Sequence, residues 1–154
     1  MEIKIRKATQ ADLETLRTLE QGVIGAERPF DPTLRVDSIH YYDLEGLMAN
    51  PRALVLVATH EEAIVSCGYA LEKPAKPYLN HETYAYLGFM FTVAEYRGKG
   101  LNAMILENLK EWALENGLTE IRLTVYDGNA PALRAYEKVG FKRHMIEMRW
   151  PITD

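Results

Sequence analysis

A basic, glycine-containing stretch, Arg97-Gly98-Lys99-Gly100, joins an apolar strand pattern at 83–93 to an apolar helix pattern that begins at Leu101. A helix that starts here leaves its first backbone N–H groups without intrahelical partners, at the positive end of the helix dipole. Glycine lets an anion approach the backbone, and the two basic side chains add positive charge. The stretch predicts an anion site, although in isolation a tight turn with solvated basic residues explains it more simply.

The spacing of this stretch differs from two other phosphate-binding patterns. A Walker loop needs four residues between its glycines and then Lys-Ser or Lys-Thr, and a dinucleotide fingerprint needs G-x-G-x-x-G. Neither pattern is present around Gly98 and Gly100. ATP-type and nicotinamide functions are therefore weak interpretations of this sequence.

A second motif lies downstream, where Asn129 can cap a short helix that Gly140 closes. Ala132, Leu133 and Tyr136 share one side of this helix. Together with the first stretch, it resembles the GNAT superfamily of acyl-CoA-dependent N-acyltransferases. The family's N-x-x-A-x-x-x-Y-x-K-x-G-F segment is matched by Asn129, Ala132, Tyr136, Lys138, Gly140 and Phe141.

The resemblance covers nearly the whole chain, from Glu2 to Trp150, and implies acetyl-CoA as the acyl donor. It departs from the family's Q/R-x-x-G-x-G/A loop at Asn102, which stands where a small residue is usual. The residues that it assigns to cofactor binding are Phe91, Thr92, Val93, Arg97, Gly98, Lys99, Gly100, Leu101, Asn102, Asn129, Ala132 and Tyr136.

The implied chemistry is direct transfer of an acetyl group from the thioester to an amine. The resemblance gives the backbone N–H groups near Phe91–Val93 the role of stabilising the oxyanion, and gives Tyr136 the role of general acid for the leaving thiolate. A phenol with a pKa near 10 is a plausible donor to a thiolate. Because the strand interior, 86–93, contains no carboxylate or histidine, the candidate general base is Glu82 at the start of the strand, acting through water.

The resemblance places acceptor specificity in the segment after the first helix and in the loop before the central strand. Tyr41, Tyr42 and Asp43 combine aromatic faces with negative charge, which suits a cationic amine. Glu27 and Arg28 are an alternative pair that would bind the two ends of an amino acid. For each of these residues, a solvated helix face or a proline-pinned loop is an equally good interpretation.

These residues require a particular order of elements to position them. Alternation at Ile3 and Ile5 predicts a strand, a T-x-x-D signal at Thr9 predicts a helix over 10–21 that stops at Gly22, and a short helix follows near 41–48. Further strands are expected at 53–58, 64–72, 83–93, 119–126 and 141–150, with helices from Leu101 to about Asn116 and over 130–138. The order predicts an α+β fold, a GNAT-like mixed and mostly antiparallel sheet with helices on both faces.

Bulk properties limit the function classes further. With 154 residues, the chain is expected to form a single domain over 1–154, and its net charge of -4 argues against nucleic acid as a partner. The lone Cys67, the absence of a long apolar run and the scattered histidines predict a cytoplasmic protein with no membrane association and no metal site. The apolar run HMIEMRW near the C-terminus is a candidate homodimer interface.

The sequence therefore supports an acetyl-CoA-dependent N-acetyltransferase that acts on a small-molecule or peptide amine. An alternative from another class is a CoA-binding sensor or interaction module without turnover, which the missing strand carboxylate and Asn102 favour. A third interpretation, transfer of a larger acyl group, would need a roomier pocket than Phe89, Met90 and Phe91 suggest.

Overall fold

The computed structural model describes residues 1–153, which divide into two compact units, 1–124 and 125–153. The first unit contains β1 (Lys4–Lys7), α1 (Leu13–Glu27), α2 (Leu44–Ala49), β2 (Ala53–His60), β3 (Ala63–Pro74), β4 (Thr83–Thr92), α3 (Leu101–Glu115) and β5 (Ile121–Arg122). The second unit contains α4 (Ala130–Val139). Among the described residues, none of the helices combines the length and apolar character that a membrane crossing requires.

The strands form one sheet in the order β1-β2-β3-β4-β5. The first four strands are antiparallel neighbours, while β4 and β5 run parallel. The predicted hairpin is confirmed, since β2 and β3 pair through a turn at Glu61 and Glu62, both of which have positive φ. The α+β class and the mostly antiparallel sheet are likewise confirmed.

Helices cover both faces of this sheet. On one face, Leu16 and Val23 of α1 pack with Val57, Tyr69 and Phe89 in a buried cluster that also includes Leu44 of α2. On the other face, α3 packs so closely on β3 that a Cβ at Gly68 would lie 2.8 Å from Ile105 Cγ2. The sheet is therefore a buried central layer, as the strand patterns predict.

Helix α1 is longer than predicted. The sequence places its end at Gly22, whereas the helix continues through Gly22 and Gly25 to Glu27. A Cβ at Gly22 would lie 2.6 Å from Phe91 Cζ, so this glycine allows the helix to approach a ring of β4. The prediction was wrong because Gly22 serves helix–sheet packing here and not helix termination.

The end of the chain differs most from the prediction. Of the strand expected at 119–126, only Ile121–Arg122 is assigned, as β5, and within the second unit taken by itself residues 141–150 contain no strand. Helix α4 matches its prediction and ends at Gly140, whose φ of 121° suits glycine. A strand needs a paired neighbour, and the local sequence pattern cannot supply one.

Candidate active site

The candidate site is organised around an open edge of β4. Strand β5 pairs with β4 only through Ala85 and Tyr86. From residue 87 to Thr92, no described strand lies on that side of β4. Backbone N–H and C=O groups on such an edge are available to a ligand, as they are in peptide-binding sheets.

Of the backbone N–H groups of residues 91–93, which are predicted to face the thioester, some are already bonded within the sheet and others point towards its open edge. Val93 donates its N–H to Val65 O at 2.9 Å, so this amide belongs to the sheet. Successive amides of a strand point to opposite sides, which directs the Thr92 N–H towards the open edge. Arg97 Nε donates to Thr92 O at 3.1 Å on that same side. Thr92 is therefore the strand amide best placed to meet a ligand.

The strand also contains a bulge that shapes this region. Cys67 pairs with Phe91 and Tyr69 with Gly88, so two residues of β4 stand opposite Gly68. Phe89, one of these two residues, has a φ of 56°, a left-handed value that is uncommon for a bulky side chain. Its ring is nevertheless buried in the core. Strained residues of this kind persist where surrounding packing holds them, often beside functional sites.

The glycine-containing stretch forms an exposed loop between β4 and α3. Gly98 and Gly100 have φ values of 74° and 81°, and a Cβ on either would meet no atom within 4 Å. Met104 N–H is bonded to Gly100 O, so the first-turn amides, at Leu101, Asn102 and Ala103, precede the helical hydrogen-bond ladder. The loop is thus an accessible backbone cradle at a helix N-terminus, with room for an anion where side chains would otherwise stand.

The basic side chains of this loop are exposed. The Arg97 guanidinium lies 5.7 Å from the centre of the Phe91 ring, while the Lys99 ammonium lies 5.3 Å from the Tyr96 ring. Tyr96 in turn forms a 2.6 Å hydrogen bond with His60. Both cations are therefore anchored close to the loop, where they add positive charge to the cradle.

Two tyrosines of the predicted acceptor segment pack beside the bulge. The Tyr42 ring stacks on Phe89 with 4.7 Å between ring centres, and its edge meets Tyr41 at 5.7 Å. Burial raises the pKa of Tyr42, so its hydroxyl is a neutral group in the working pH range. These contacts join the acceptor segment to the distorted part of β4.

Glu20 holds this segment in place and was missed by the sequence analysis. Its side chain is 1% exposed, and it accepts the backbone N–H groups of Tyr41 at 2.9 Å and Tyr42 at 2.8 Å. His40 Nδ1 lies 3.0 Å from the same carboxylate. The available signal was a charged residue on the inward face of α1, four positions after Leu16.

The other predicted acceptor residues have different environments. Glu27 is half-buried, and burial raises the pKa of its carboxyl group while the nearby Tyr41 side chain lowers it. Arg28 donates to Arg35 O at 2.7 Å, and Asp43 caps α2 by accepting Gly46 N–H at 3.0 Å. The structure therefore brings Glu27 next to the two tyrosines, while Arg28 and Asp43 make structural contacts with neighbouring backbone.

Glu82, the predicted general base, is exposed just before β4. At about 3.3 Å per residue, the ten-residue strand separates it from Thr92 by roughly 30 Å. Its role as the base stays a prediction, and this distance counts against it. The described residues contain no group of three or more His, Cys, Asp and Glu side chains that could hold a metal ion.

The second unit carries the later motif. Asn129 Oδ1 accepts the Ala132 N–H at 3.3 Å, which is the predicted cap of α4. Tyr136 is half-buried on α4, and its ring meets Phe141 edge-on with 5.7 Å between ring centres. The motif therefore forms the capped helix that its sequence predicts, and the catalytic role of Tyr136 stays a prediction.

Known proteins with similar sequences include two acetyltransferases. A 55-residue segment is 36% identical to the thialysine N-epsilon-acetyltransferase of Bos taurus, covering 36% of this chain and 32% of that protein. A 53-residue segment is 44% identical to the streptothricin acetyltransferase of Escherichia coli, covering 34% of this chain and 30% of that protein. The chain spans about a third of the length of the curated relatives it matches.

Structural similarity extends over nearly the whole chain. A solved structure from Clostridium acetobutylicum, described as a predicted acetyltransferase with acetyl-CoA, matches with a TM-score of 0.78 and 20% identity. The match covers 98% of this chain and 97% of that one. The model of the acetyltransferase (GNAT) family matches residues 18–141, most of the chain. The chain therefore belongs to the GNAT acetyltransferase family.

Proposed function

We propose that this chain transfers an acetyl group from acetyl-CoA to the primary amine of a small molecule or peptide. The observation that carries the proposal is the open edge of β4 leading into the glycine loop and the start of α3. Edge, loop and helix N-terminus follow one another within sixteen residues, 87–102. Family membership and the relatives' acetyltransferase activities support the same conclusion.

The glycine loop fits the phosphates of acetyl-CoA. At Gly98 and Gly100, the left-handed backbone and the empty space at the Cβ positions allow phosphate oxygens to approach the N–H groups of 97–102. Acetyl-CoA supplies an acetyl group activated as a thioester. The Thr92 N–H is proposed to stabilise negative charge on the carbonyl oxygen, because it points towards the open edge.

Asn102 is the one departure from the family loop, and its position bears on this fit. It lies in the first turn of α3 and is partly exposed. Its side-chain amide can donate a hydrogen bond to a phosphate oxygen. We propose this donor role for Asn102, in place of the close backbone approach that a small residue would allow.

The acceptor is proposed to be a cationic amine that binds near Glu27 and the two tyrosines. An amine with a pKa near 10.4 is neutral in only about one part in 10³–10⁴ at pH 7, so transfer requires removal of a proton. Burial raises the pKa of the Glu27 carboxyl group, which makes its carboxylate a better proton acceptor than an exposed one. Tyr41 and Tyr42 provide aromatic surfaces for the cation.

The second unit is proposed to contribute the acid. Tyr136 would protonate the leaving thiolate, as the family motif around it implies, and Asn129 and Ala132 would help hold the cofactor. The motif N129-A-P-A-L-R-A-Y136 supports this assignment through its match to the family pattern. Phosphate binding would then fall to the start of α3, and proton donation to Tyr136 in the second half of α4.

A CoA-binding sensor without turnover is the competing function. It is favoured by the lack of any carboxylate or histidine in 86–93 and by Asn102 in the loop. Both functions require acetyl-CoA binding, so the binding experiment alone cannot separate them.

The test is isothermal titration with acetyl-CoA followed by a thiol-release screen over amines, amino acids and peptides. The enzyme proposal expects binding and acceptor-dependent release of free thiol. Binding without release on every acceptor would establish the sensor function instead, and no binding would overturn both.

A further inference from the structure

The segment that leads from β4 into the glycine loop has one half-buried side chain, that of Tyr96. Residues 94, 95 and 97–100 around it are exposed. Tyr96 is the last residue of a short 3₁₀ turn, Ala94–Tyr96, and its N–H donates to Val93 O at 2.9 Å. The turn therefore directs a large side chain inward directly before the glycines begin.

The partner of this side chain is His60, the last residue of β2. His60 Nδ1 and the Tyr96 hydroxyl oxygen are 2.6 Å apart, and the two rings meet edge-on with 5.5 Å between their centres. A phenol can donate to a bare ring nitrogen or accept from a protonated one, so the hydrogen bond does not depend on the tautomer of His60. The two residues therefore make both a polar and a ring contact.

His60 itself stands on a well-fixed support, the end of the hairpin of β2 and β3. It pairs with Ala63 across the two-residue turn, in which Glu61 and Glu62 have φ values of 48° and 70°. Positive φ at both turn residues matches the twist of the flanking strands and holds their register. The preceding residue, Thr59, is buried. The Tyr96 hydroxyl is therefore bonded to a rigid part of the sheet.

The Tyr96 ring also supports a basic side chain of the loop, since the Lys99 ammonium lies 5.3 Å from the ring centre. Fixing the hydroxyl thus fixes the ring against which Lys99 rests. Gly98 and Gly100 add no restraint of their own, because a Cβ at either would meet no atom within 4 Å. Restraint applied before binding lowers the entropy that a flexible loop loses when a ligand orders it.

We propose that His60 and Tyr96 form a clamp that preorganises the glycine loop for acetyl-CoA, with His60 as a positioning residue that acts through Tyr96. The inference rests on the proposed function, because it takes the loop to be the phosphate site. It adds the end of the β2–β3 hairpin to the residues that determine cofactor affinity. His60 lies 36 positions before Tyr96, so the loop motif does not reveal it.

Isothermal titration of the full chain with acetyl-CoA tests the clamp, and no acceptor is needed. Tyr96→Phe keeps the ring against His60 and under Lys99 but removes the hydroxyl. Its Kd should rise about three- to tenfold, the equivalent of one lost hydrogen bond. Far-UV circular dichroism should show that the variant keeps its helices and sheet.

A second set of variants tests whether the two residues act together. His60→Ala should also raise Kd, and adding Tyr96→Phe to it should change Kd by less than about twofold, because the bond is already lost. His60→Asn places an amide atom where Nδ1 lies and should return Kd to within about twofold of wild type. His60 is half-buried at a hairpin end, so these variants should fold.

His81→Ala is the matched control for the histidine. His81 also makes side-chain hydrogen bonds, with Asn80 at 3.0 Å and Arg122 at 2.9 Å, but it lies before the start of β4. Its replacement should leave the acetyl-CoA affinity unchanged.

The outcomes separate the clamp from the proposed function. Absence of binding by the wild-type protein would overturn the proposed function, and the clamp with it. Wild-type binding that Tyr96→Phe leaves unchanged would overturn the clamp alone, even if the variant melts at a lower temperature, since that result describes a purely structural contact. Effects of His60→Ala and Tyr96→Phe that add in the double variant would also overturn it.

Discussion

The proposed role of Tyr136 as general acid predicts a specific kinetic effect when its hydroxyl is removed. If its hydroxyl protonates the leaving thiolate, Tyr136→Phe should lower kcat by about 10²-fold, a usual contribution for one general acid. The ring would keep its edge-on contact with Phe141, so the fold and the acetyl-CoA affinity should change little. Single-turnover kinetics with a competent acceptor, beside a cofactor titration, measures both quantities.

Tyr78→Phe is the matched control for this substitution, because Tyr78 is 82% exposed and lies outside both motifs. It should keep the wild-type rate. A Tyr136→Phe variant with the wild-type chemical rate would make Tyr136 a packing residue. Loss of binding together with rate would instead indicate that Tyr136 holds the cofactor.

The role of an individual residue could be predicted from the sequence where its partner lies a few positions away in the same segment. Asn129 and Ala132 are three residues apart, and the predicted cap forms between them. Glu20 could not be assigned in the same way, because its partners are backbone groups about twenty residues away. The packing role of Gly22 likewise could not be predicted from the local sequence, because its contact is with Phe91 of β4.

The loop between β4 and α3 is the element on which cofactor binding is proposed to depend. Gly100→Val should weaken acetyl-CoA binding by well over tenfold, because a branched side chain would fill the open space and disfavour a φ of 81°. The fold should survive, since no atom lies within 4 Å of the new Cβ. Isothermal titration measures the change in affinity.

Gly117→Val provides a control with the same backbone strain at the other end of α3. Gly117 has a φ of 75° and also has open space at its Cβ position. The Gly117→Val variant should be destabilised to a similar extent as Gly100→Val, while its acetyl-CoA affinity should be unchanged. Equal affinities in the two variants would remove the phosphate-binding assignment from the loop.

The junction of β1 and α1 depends on an ion pair that titrates in acid. Asp12 accepts two hydrogen bonds from Arg6 at 2.7 and 2.9 Å, and the Arg6 guanidinium, with the Thr9 N–H, lowers the pKa of Asp12 to about 2. Because the folded pKa lies below the unfolded value of about 3.9, the stabilisation is complete above about pH 5. It is lost as the pH falls towards 2.

Asp12→Asn should therefore reduce the free energy of unfolding by about 1–2 kcal/mol at pH 7, a range that allows for solvent screening of the partly exposed Arg6. The difference from wild type should shrink as the pH is lowered from 5 to 2. Urea unfolding across this range measures it. Asp37→Asn, on an exposed carboxylate, should change stability by less than about 0.5 kcal/mol. A pH-independent cost at Asp12 would assign its effect to packing.

Elements could be predicted from the sequence where the pattern is local. The hairpin of β2 and β3, the start of α3 and the whole of α4 follow from periodicity, turn residues and caps. The bulge at Phe89 could not be predicted, because it arises from the register between β3 and β4. The final strand also depends on a neighbour that the local pattern does not identify.

At the scale of the whole molecule, ligand binding and unfolding are coupled. A ligand that binds only the folded protein stabilises it by an amount set by its concentration relative to Kd. Binding to the glycine loop would therefore raise the melting temperature whether or not turnover occurs. This coupling tests cofactor binding independently of the acceptor.

Acetyl-CoA at about 100 times its Kd should stabilise the wild-type protein by about 2.7 kcal/mol. For a chain of this size, each 1 kcal/mol corresponds to roughly 2–4 °C, so the melting temperature should rise by about 5–11 °C. At the same ligand concentration, Gly117→Val should show the full rise from a lower starting temperature, whereas Gly100→Val should show about half of it or less, because its Kd is over tenfold higher. Differential scanning calorimetry supplies the measurement. No rise in the wild-type protein would rule out the enzyme and the sensor together, since both functions require acetyl-CoA to bind the folded chain.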